Sequence, residues 1–202
     1  MEELLKRLKS NGMQPYYFPD RESAKAYILD MIPESASVGI GGSVTVREMG
    51  LLDALRERGT QYFDHWKPGL SSEEIMEVKR RQVVAEYFLT STNGLTRDGK
   101  LVNIDNTGNR VSAMIFGPRH VIVVTGKNKI VEDVHAAIQR IKEKVVARNT
   151  SRRGDNTTCA KGEACPDCNS PDRLCRVTTI LEKKTKGVET FTVVIVGEPL
   201  GY

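Results

Sequence analysis

The stretch Ser37-Val38-Gly39-Ile40-Gly41-Gly42-Ser43-Val44-Thr45 is the clearest indication of the fold of this 202-residue chain. Its first four residues form a short apolar run that leads into glycines, and a helical pattern follows over residues 44–58. Such a run predicts a strand that passes through a tight loop directly into a helix. Because this alternation is the repeating unit of parallel sheets, the stretch predicts an α/β domain.

The alternation of strands and helices continues on both sides of this stretch. Helices are predicted at 2–9, 23–31, 71–85, 111–115 and 131–146, and strands at 16–18, 62–63, 87–91, 101–104, 120–125, 177–181 and 190–196. Asp98-Gly99 predicts a hairpin turn, and Lys186-Gly187 joins the last two strands. We expect a three-layer α/β domain whose mixed sheet is mainly parallel.

Composition excludes several classes of protein. Apolar residues make up 39% of the chain and charged residues 28%, which is typical of a globular protein with a core. No apolar run approaches the roughly 18 residues of a membrane span, and Met1-Glu2-Glu3 does not open a signal peptide, so we expect a cytoplasmic protein with no membrane partner. The net charge of +4 is scattered, which argues against nucleic acid as a partner.

The chain divides into three parts. We predict an α/β core at 1–148, a Cys-rich, metal-binding-like insertion at 149–176, and two C-terminal strands at 177–202 that complete the core. The sequence does not decide the oligomeric state, and it is compatible with a homo-oligomer.

Polar residues cluster in three loops, at 39–48, 90–98 and 105–110, each of which follows a predicted strand. A parallel sheet has its ligand crevice at such strand ends. Glycine-rich backbone, hydroxyls, amides and one guanidinium together suit a small carboxylate or phosphate. Turn chemistry explains part of these loops without any ligand. Glu48 and Asp105 are the candidate catalytic groups for proton transfer. The candidate ligand-binding residues are Gly41, Gly42, Ser43, Thr45, Thr90, Ser91, Asn93, Asn109 and Arg110. The three histidines have no partner at metal or triad spacing, so we expect them to be structural.

All four cysteines lie in one short segment: Cys159, Cys165, Cys168 and Cys175. A Cys-x2-Cys pair with two flanking cysteines can supply four thiolates to a metal, and sulfur ligands select zinc or an iron–sulfur cluster. The spacing matches no common ferredoxin or zinc-ribbon pattern. Four reduced thiols, or a redox-active Cys165/Cys168 pair, are the alternatives. No flavin or nicotinamide fingerprint is present.

These motifs, in this order, resemble the LUD domain (DUF162), the lactate-utilisation family. The resemblance extends over nearly the whole chain, and the Cys-rich segment looks like a feature of a short, stand-alone branch. It implies a fold like that of NagB, RpiA and the CoA transferases, with a pocket at the three loops. The matching stretches are 39–45, 88–93, 101–105, 109–111, 116–118, 121–124 and 128–131.

The resemblance also implies a function. Members of the family act in the oxidation of L-lactate to pyruvate as components of a multi-subunit, iron–sulfur-containing system. We therefore expect a component of L-lactate or organic-acid utilisation with redox partner subunits, rather than a stand-alone dehydrogenase. One alternative is an isomerase-like enzyme acting on sugar phosphates or an enzyme acting on CoA esters, although Ser91-Thr92-Asn93 lacks the nucleophilic glutamate of CoA transferases. The other is a non-catalytic sensor or assembly protein that responds to metal or ligand.

Overall fold

The structure, a computed structural model, describes residues 1–202 and contains two sheets. The strands are β1 (Gln14–Phe18), β2 (Ser37–Ile40), β3 (Gln61–Asp64), β4 (Tyr87–Ser91), β5 (Gly94–Thr96), β6 (Leu101–Asp105), β7 (His120–Gly126), β8 (Ile130–Val131), β9 (Val177–Leu181) and β10 (Thr190–Val196). The helices are α1 (Glu2–Ser10), α2 (Arg21–Met31), α3 (Val44–Glu48), α4 (Leu51–Glu57), α5 (Ser72–Val83), α6 (Asn109–Ile115), α7 (Val134–Arg140) and α8 (Ala147–Arg153). A π-helical segment at Ile141–Val146 joins α7 to α8, and 3-10 turns lie at Lys127–Lys129 and Cys159–Lys161.

The main sheet has six parallel strands in the order β1-β10-β7-β4-β2-β3. The second sheet has the order β8-β5-β6-β9, in which β6 is antiparallel to both β5 and β9. The predicted α/β layers with a mainly parallel sheet are confirmed. The structure contains no helix with the length and hydrophobicity of a membrane span.

The last two predicted strands lie in different sheets. β10 lies between β1 and β7 in the main sheet, whereas β9 forms the edge of the second sheet. The burial of the two strands explains the difference, because β10 is buried along nearly its whole length and β9 is largely exposed. A strand buried on both faces belongs at the centre of a parallel sheet.

Two predicted helices have different limits in the structure. The helix predicted over 44–58 is two helices, because Gly50 adopts a left-handed conformation (φ 63°) between α3 and α4. The helix predicted over 131–146 begins after the capping residue Asp133 and continues through the π-helical segment and α8 to Arg153. It ends at Gly154, which is also left-handed (φ 73°). The predicted boundary between residues 148 and 149 therefore lies inside α8.

The central strands hold the core together from both faces of the main sheet. In β7, Ile122 and Val124 pack into the cluster beneath α2 and α4, and Val121 and Val123 pack into the cluster on the opposite face. A strand with alternating residues in two cores must be apolar at every position. The carboxyl ends of β2, β3, β4 and β7 consequently meet at one edge of a rigid sheet, where the candidate site lies.

Candidate functional site

A cavity of about 170 Å³ opens at the carboxyl ends of β2, β3, β4 and β7. The π-helical segment, α8 and Tyr202 form its opposite wall. Eight of the eleven residues predicted to bind ligand or move protons line this cavity, so the three loops converge on one site as the prediction requires. They are Gly42, Ser43, Thr45, Ser91, Asn93, Asp105, Asn109 and Arg110. Their functional roles stay predictions.

The other three predicted residues lie outside the cavity lining. Gly41 packs beneath the loop, where a Cβ atom would collide with the hydroxyl of the buried Thr90. Glu48 is exposed, and its Oε2 accepts a hydrogen bond from the backbone N–H of Gly201 at 2.7 Å. Gly41 and Thr90 therefore shape the loop from below, and Glu48 holds the C-terminal tail.

Arg110 is buried within a network of its own neighbours. Its Nε and one terminal nitrogen donate to Asp105 Oδ1 at 2.9 and 2.5 Å, and Asp105 Oδ2 accepts from the backbone N–H of Val111. Its remaining acceptors are Ser91 O, Asn103 Oδ1, Asn93 Oδ1 and Ile104 O. All three guanidinium nitrogens are thus engaged, which leaves no N–H for a ligand. These bonds favour a positioning role for Arg110, and its predicted role in anion binding stays a prediction.

Lys129, which sequence reasoning did not select, is the buried cation that faces the cavity. The residue is 4% exposed, and its Nζ donates to Thr45 Oγ1 at 2.7 Å and to Ser91 Oγ at 3.0 Å. Neither partner is charged, and no carboxylate lies within salt-bridge distance. Burial, helped by repulsion from Arg140 and Arg110, lowers the pKa of the Lys129 ammonium to about 7. An ammonium has three donors, so one is left for a ligand.

His65 also lines the cavity, and its hydrogen bonds define its tautomer. The Nε2 of Gln82 donates to Phe63 O at 3.1 Å and lies 2.9 Å from His65 Nδ1, while Gln82 Oε1 accepts from Asn109 Nδ2. Because the Gln82 amide is the donor, Nδ1 of His65 is the acceptor and Nε2 carries the proton. Burial and the nearby Lys79 lower the pKa of His65 to about 4. His65 is therefore a neutral donor near Gly42.

The cavity is strongly cationic. Asp105 has the single side-chain carboxylate in its lining, and Arg110 neutralises it. Lys79 donates to Thr107 Oγ1 at 2.9 Å, and burial lowers its pKa. The guanidinium of Arg152 stacks over the Trp66 ring, with 4.3 Å between its carbon and the ring centroid. The cations that line the cavity beside Arg110 are Lys79, Lys129, Arg152 and Arg153. Arg153 has a carboxylate partner outside the cavity, in Asp155.

Two of these unpredicted residues carried a usable sequence signal. Lys129 follows the end of β7, and His65 follows the end of β3. The strand-end rule that selected the three loops applies equally to these two. Arg152 and Arg153 had no such signal, since they lie on a helix that the sequence pattern ends before residue 147.

The four cysteines line a second, much smaller cavity, which we call the cysteine cavity. Its volume is about 10 Å³, and Val146 and Leu174 line both it and the larger cavity. All four thiols are free, and no three His, Cys, Asp or Glu side chains form a preassembled metal-binding group. Metal binding by the cysteines therefore stays a prediction, as does the choice between zinc and an iron–sulfur cluster.

Comparison with known proteins identifies the family. The family model of the LUD domain matches residues 1–196. The fold is similar to the crystal structure of a DUF162 family protein from Deinococcus radiodurans, with a TM-score of 0.55 and 14% identity over 97% of this chain and 95% of that chain. No curated protein matches the sequence. The chain belongs to the LUD domain family.

Proposed function

We propose that this protein binds a small anionic metabolite, a carboxylate or a phosphate, in the cavity beside Lys129, and that it acts in the utilisation of L-lactate or a related organic acid. Membership of the LUD domain family, which is linked to lactate utilisation, supports the metabolic part of the proposal. The geometry of the cavity supports the binding part.

The observation that carries the proposal is the environment of Lys129. Its ammonium is almost fully buried and bonds only to two hydroxyl groups. A buried charge without a counter-charge is unfavourable, and an anion placed against Nζ would supply that counter-charge. Lys79 and Arg152 add positive charge to the same cavity, so the potential favours an anion over a neutral or cationic ligand.

The size of the cavity favours a small ligand. Sites for drug-sized molecules and cofactors occupy about 300–1,000 Å³. This cavity occupies about 170 Å³ and therefore suits an organic acid of a few carbons, or a phosphate group with a short chain. A CoA ester would leave its nucleotide outside the cavity, which argues against the CoA-ester alternative.

The isomerase-like alternative has a specific observation in its favour. Isomerisation of a sugar phosphate needs a base, and neither Glu48 nor Asp105 is free to act as one in this arrangement. Lys129, with a pKa of about 7, would be the base. Oxidation of lactate, by contrast, would need a metal centre or a partner subunit to accept the electrons, because the chain carries no flavin or nicotinamide fingerprint.

Calorimetric titration with a panel of small molecules tests the proposal. We expect L-lactate, pyruvate, inorganic phosphate or ribose 5-phosphate to bind, and the neutral lactamide to give no heat. Lys129→Met should weaken binding by at least about tenfold, the cost of losing one charge-assisted hydrogen bond. Lys127→Met is the matched control, since Lys127 is exposed and lies two residues away in the same turn.

Two results would contradict the proposal. One is equal binding of lactate and lactamide, which would show that charge is not recognised. The other is an equal loss of affinity in Lys127→Met and Lys129→Met. Turnover of ribose 5-phosphate by the protein alone would favour the isomerase-like function over a role in organic-acid utilisation.

A further inference from the structure

We infer that the four cysteines form a thiolate site for one zinc-class metal ion. This ion would hold the Cys-rich segment against the wall of the larger cavity beside Lys129, which we call the anion cavity. The thiol residues are spread over a polar, mostly exposed segment, yet all of them line the cysteine cavity. Asp167, whose backbone is left-handed (φ 54°), lies between Cys165 and Cys168, and both of these cysteines line the cavity.

The volume of the cysteine cavity favours a single ion over the iron–sulfur cluster that the sequence left open. A cavity of about 10 Å³ is close to the space of one water-sized sphere. Such a space suits a single ion, whereas an iron–sulfur cluster contains several iron and sulfide atoms. Four sulfur ligands around one ion form the tetrahedral set that structural zinc prefers.

The charges around the cysteine cavity fit a tetrathiolate site. Four thiolates and one divalent ion carry a net charge of −2, which needs nearby cations. Lys142 and Arg173 both line the cavity, and they share a single carboxylate, that of Asp167, at 3.9 and 2.7 Å. Positive charge therefore remains to offset the thiolates.

Two neighbouring residues are placed to orient the ligands. The Arg173 guanidinium donates to the backbone oxygens of Cys168 and Cys175 at 2.8 and 2.9 Å, so it links two of the four cysteines. The buried Thr157 has its Oγ1 3.4 Å from Cys159 Sγ, within reach for a hydrogen bond to a thiolate. Hydrogen bonds from such second-layer groups orient and tune metal ligands.

The four thiols would be brought together by the ion when it binds, because they are not yet arranged around a common point. The thiols do not yet form a preassembled group, so binding must draw them inward and order the segment. Cys159 already lies against α8, with its Sγ 3.7 Å from Thr150 Oγ1, and Leu174 and Val146 connect the cysteine cavity to the anion cavity. An ion held there therefore stabilises α8, which carries the cavity residues Arg152 and Arg153.

Metal analysis of protein purified under anaerobic conditions tests the inference. We expect one zinc ion per chain in native mass spectra, release of that zinc by a thiol-modifying reagent, and no acid-labile sulfide. Cobalt should substitute for zinc and give the visible absorption of a tetrahedral thiolate complex. Iron with inorganic sulfide would overturn the single-ion site. A chain that stays metal-free when titrated with zinc would overturn metal binding altogether.

Variants and hydrogen exchange test the ligands and the contact of the Cys-rich segment with the cavity wall. Cys168→Ser should lose zinc to a chelator that the wild type resists, and Asn169→Ala, an exposed neighbour with no side-chain hydrogen bond in the structure, should not. If Cys168→Ser does not fold, chelation of the wild-type protein gives the same comparison. Removing zinc should speed amide exchange in α8 more than in β7. Equal zinc retention in both variants, or unchanged exchange in α8, would contradict the inference.

Discussion

The burial of Lys129 predicts that anion binding depends on pH. Burial lowers the pKa of this ammonium from its ordinary value of 10.5 to about 7. Above pH 7 the free protein holds a neutral amine, and an anion must bring a proton with it to form the ion pair. We therefore expect the affinity for a carboxylate to be level just below pH 7 and to fall by up to about tenfold for each pH unit above it.

The same pKa shift predicts a change in stability. Between pH 7 and pH 10.5 the unfolded chain binds a proton at Lys129 that the folded chain does not, so the free energy of unfolding should rise with pH over this window. At 1.36 kcal/mol for each pKa unit, the unfavourable contribution of the buried ammonium below pH 7 is about 5 kcal/mol. Lys129→Met removes this contribution, and it also removes the hydrogen bonds to Thr45 and Ser91.

Urea unfolding and calorimetry measure both effects. Lys129→Met should be more stable than the wild type at pH 6, and this advantage should shrink as the pH rises towards 9. Lys129→Met should also bind anions weakly, and its affinity should not fall tenfold for each pH unit. Lys127→Met should behave as the wild type does. Two results would refute this role of the buried Lys129 ammonium. One is a wild-type affinity that stays constant from pH 7 to pH 9, and the other is a Lys129→Met variant that is less stable than the wild type at pH 6.

Three further predictions concern the other groups around the two cavities. Arg110→Met should lower the free energy of unfolding in urea by about 3–5 kcal/mol, because it removes one partner of a buried ion pair and leaves Asp105 without a counter-charge; a loss below 1 kcal/mol would show that the network is not structural. Nitrogen NMR should show His65 neutral at pH 6 with its proton on Nε2, since burial lowers its pKa to about 4; a pKa near 6.5 would contradict this assignment. Thr157→Val should weaken zinc binding by about 10–100-fold in a chelator competition, and unchanged affinity would exclude its bond to Cys159.

The main sheet was predictable because its central strands carry a local signal. Continuous apolar runs such as Val121–Val124 fit only strands that are buried on both faces. The division into two sheets had no such signal, since β6 pairs with β9 across a long stretch of intervening chain. The break between α3 and α4 depends on the left-handed conformation of one glycine, Gly50, which a helical hydrophobic pattern does not report.

The location of the candidate site was predictable from the strand-end rule, but the roles of its residues were not. Sequence shows that Arg110 follows a polar loop, yet it does not show whether the guanidinium faces a ligand or its own loop. That depends on Asn93, in the connection between β4 and β5, and on Asn103, in β6, which meet Arg110 only in the folded chain. The importance of Lys129 likewise comes from burial, a property of the tertiary structure that no spacing reveals.

Arg110 and Lys129 are linked through Ser91, so in the proposed anion site they would act in series rather than as two parallel groups. Arg110 donates to the backbone oxygen of Ser91, and the hydroxyl of the same Ser91 accepts from Lys129. Because Arg110 also bonds to Asn93 and Asp105, one guanidinium holds the ends of β4 and β6 in a single arrangement. The position of the Lys129 ammonium is thus set before any ligand arrives, and a preorganised charge loses less entropy on binding than a mobile one. In the proposed site, Arg110 would therefore contribute to binding by holding Ser91 in place beside Lys129.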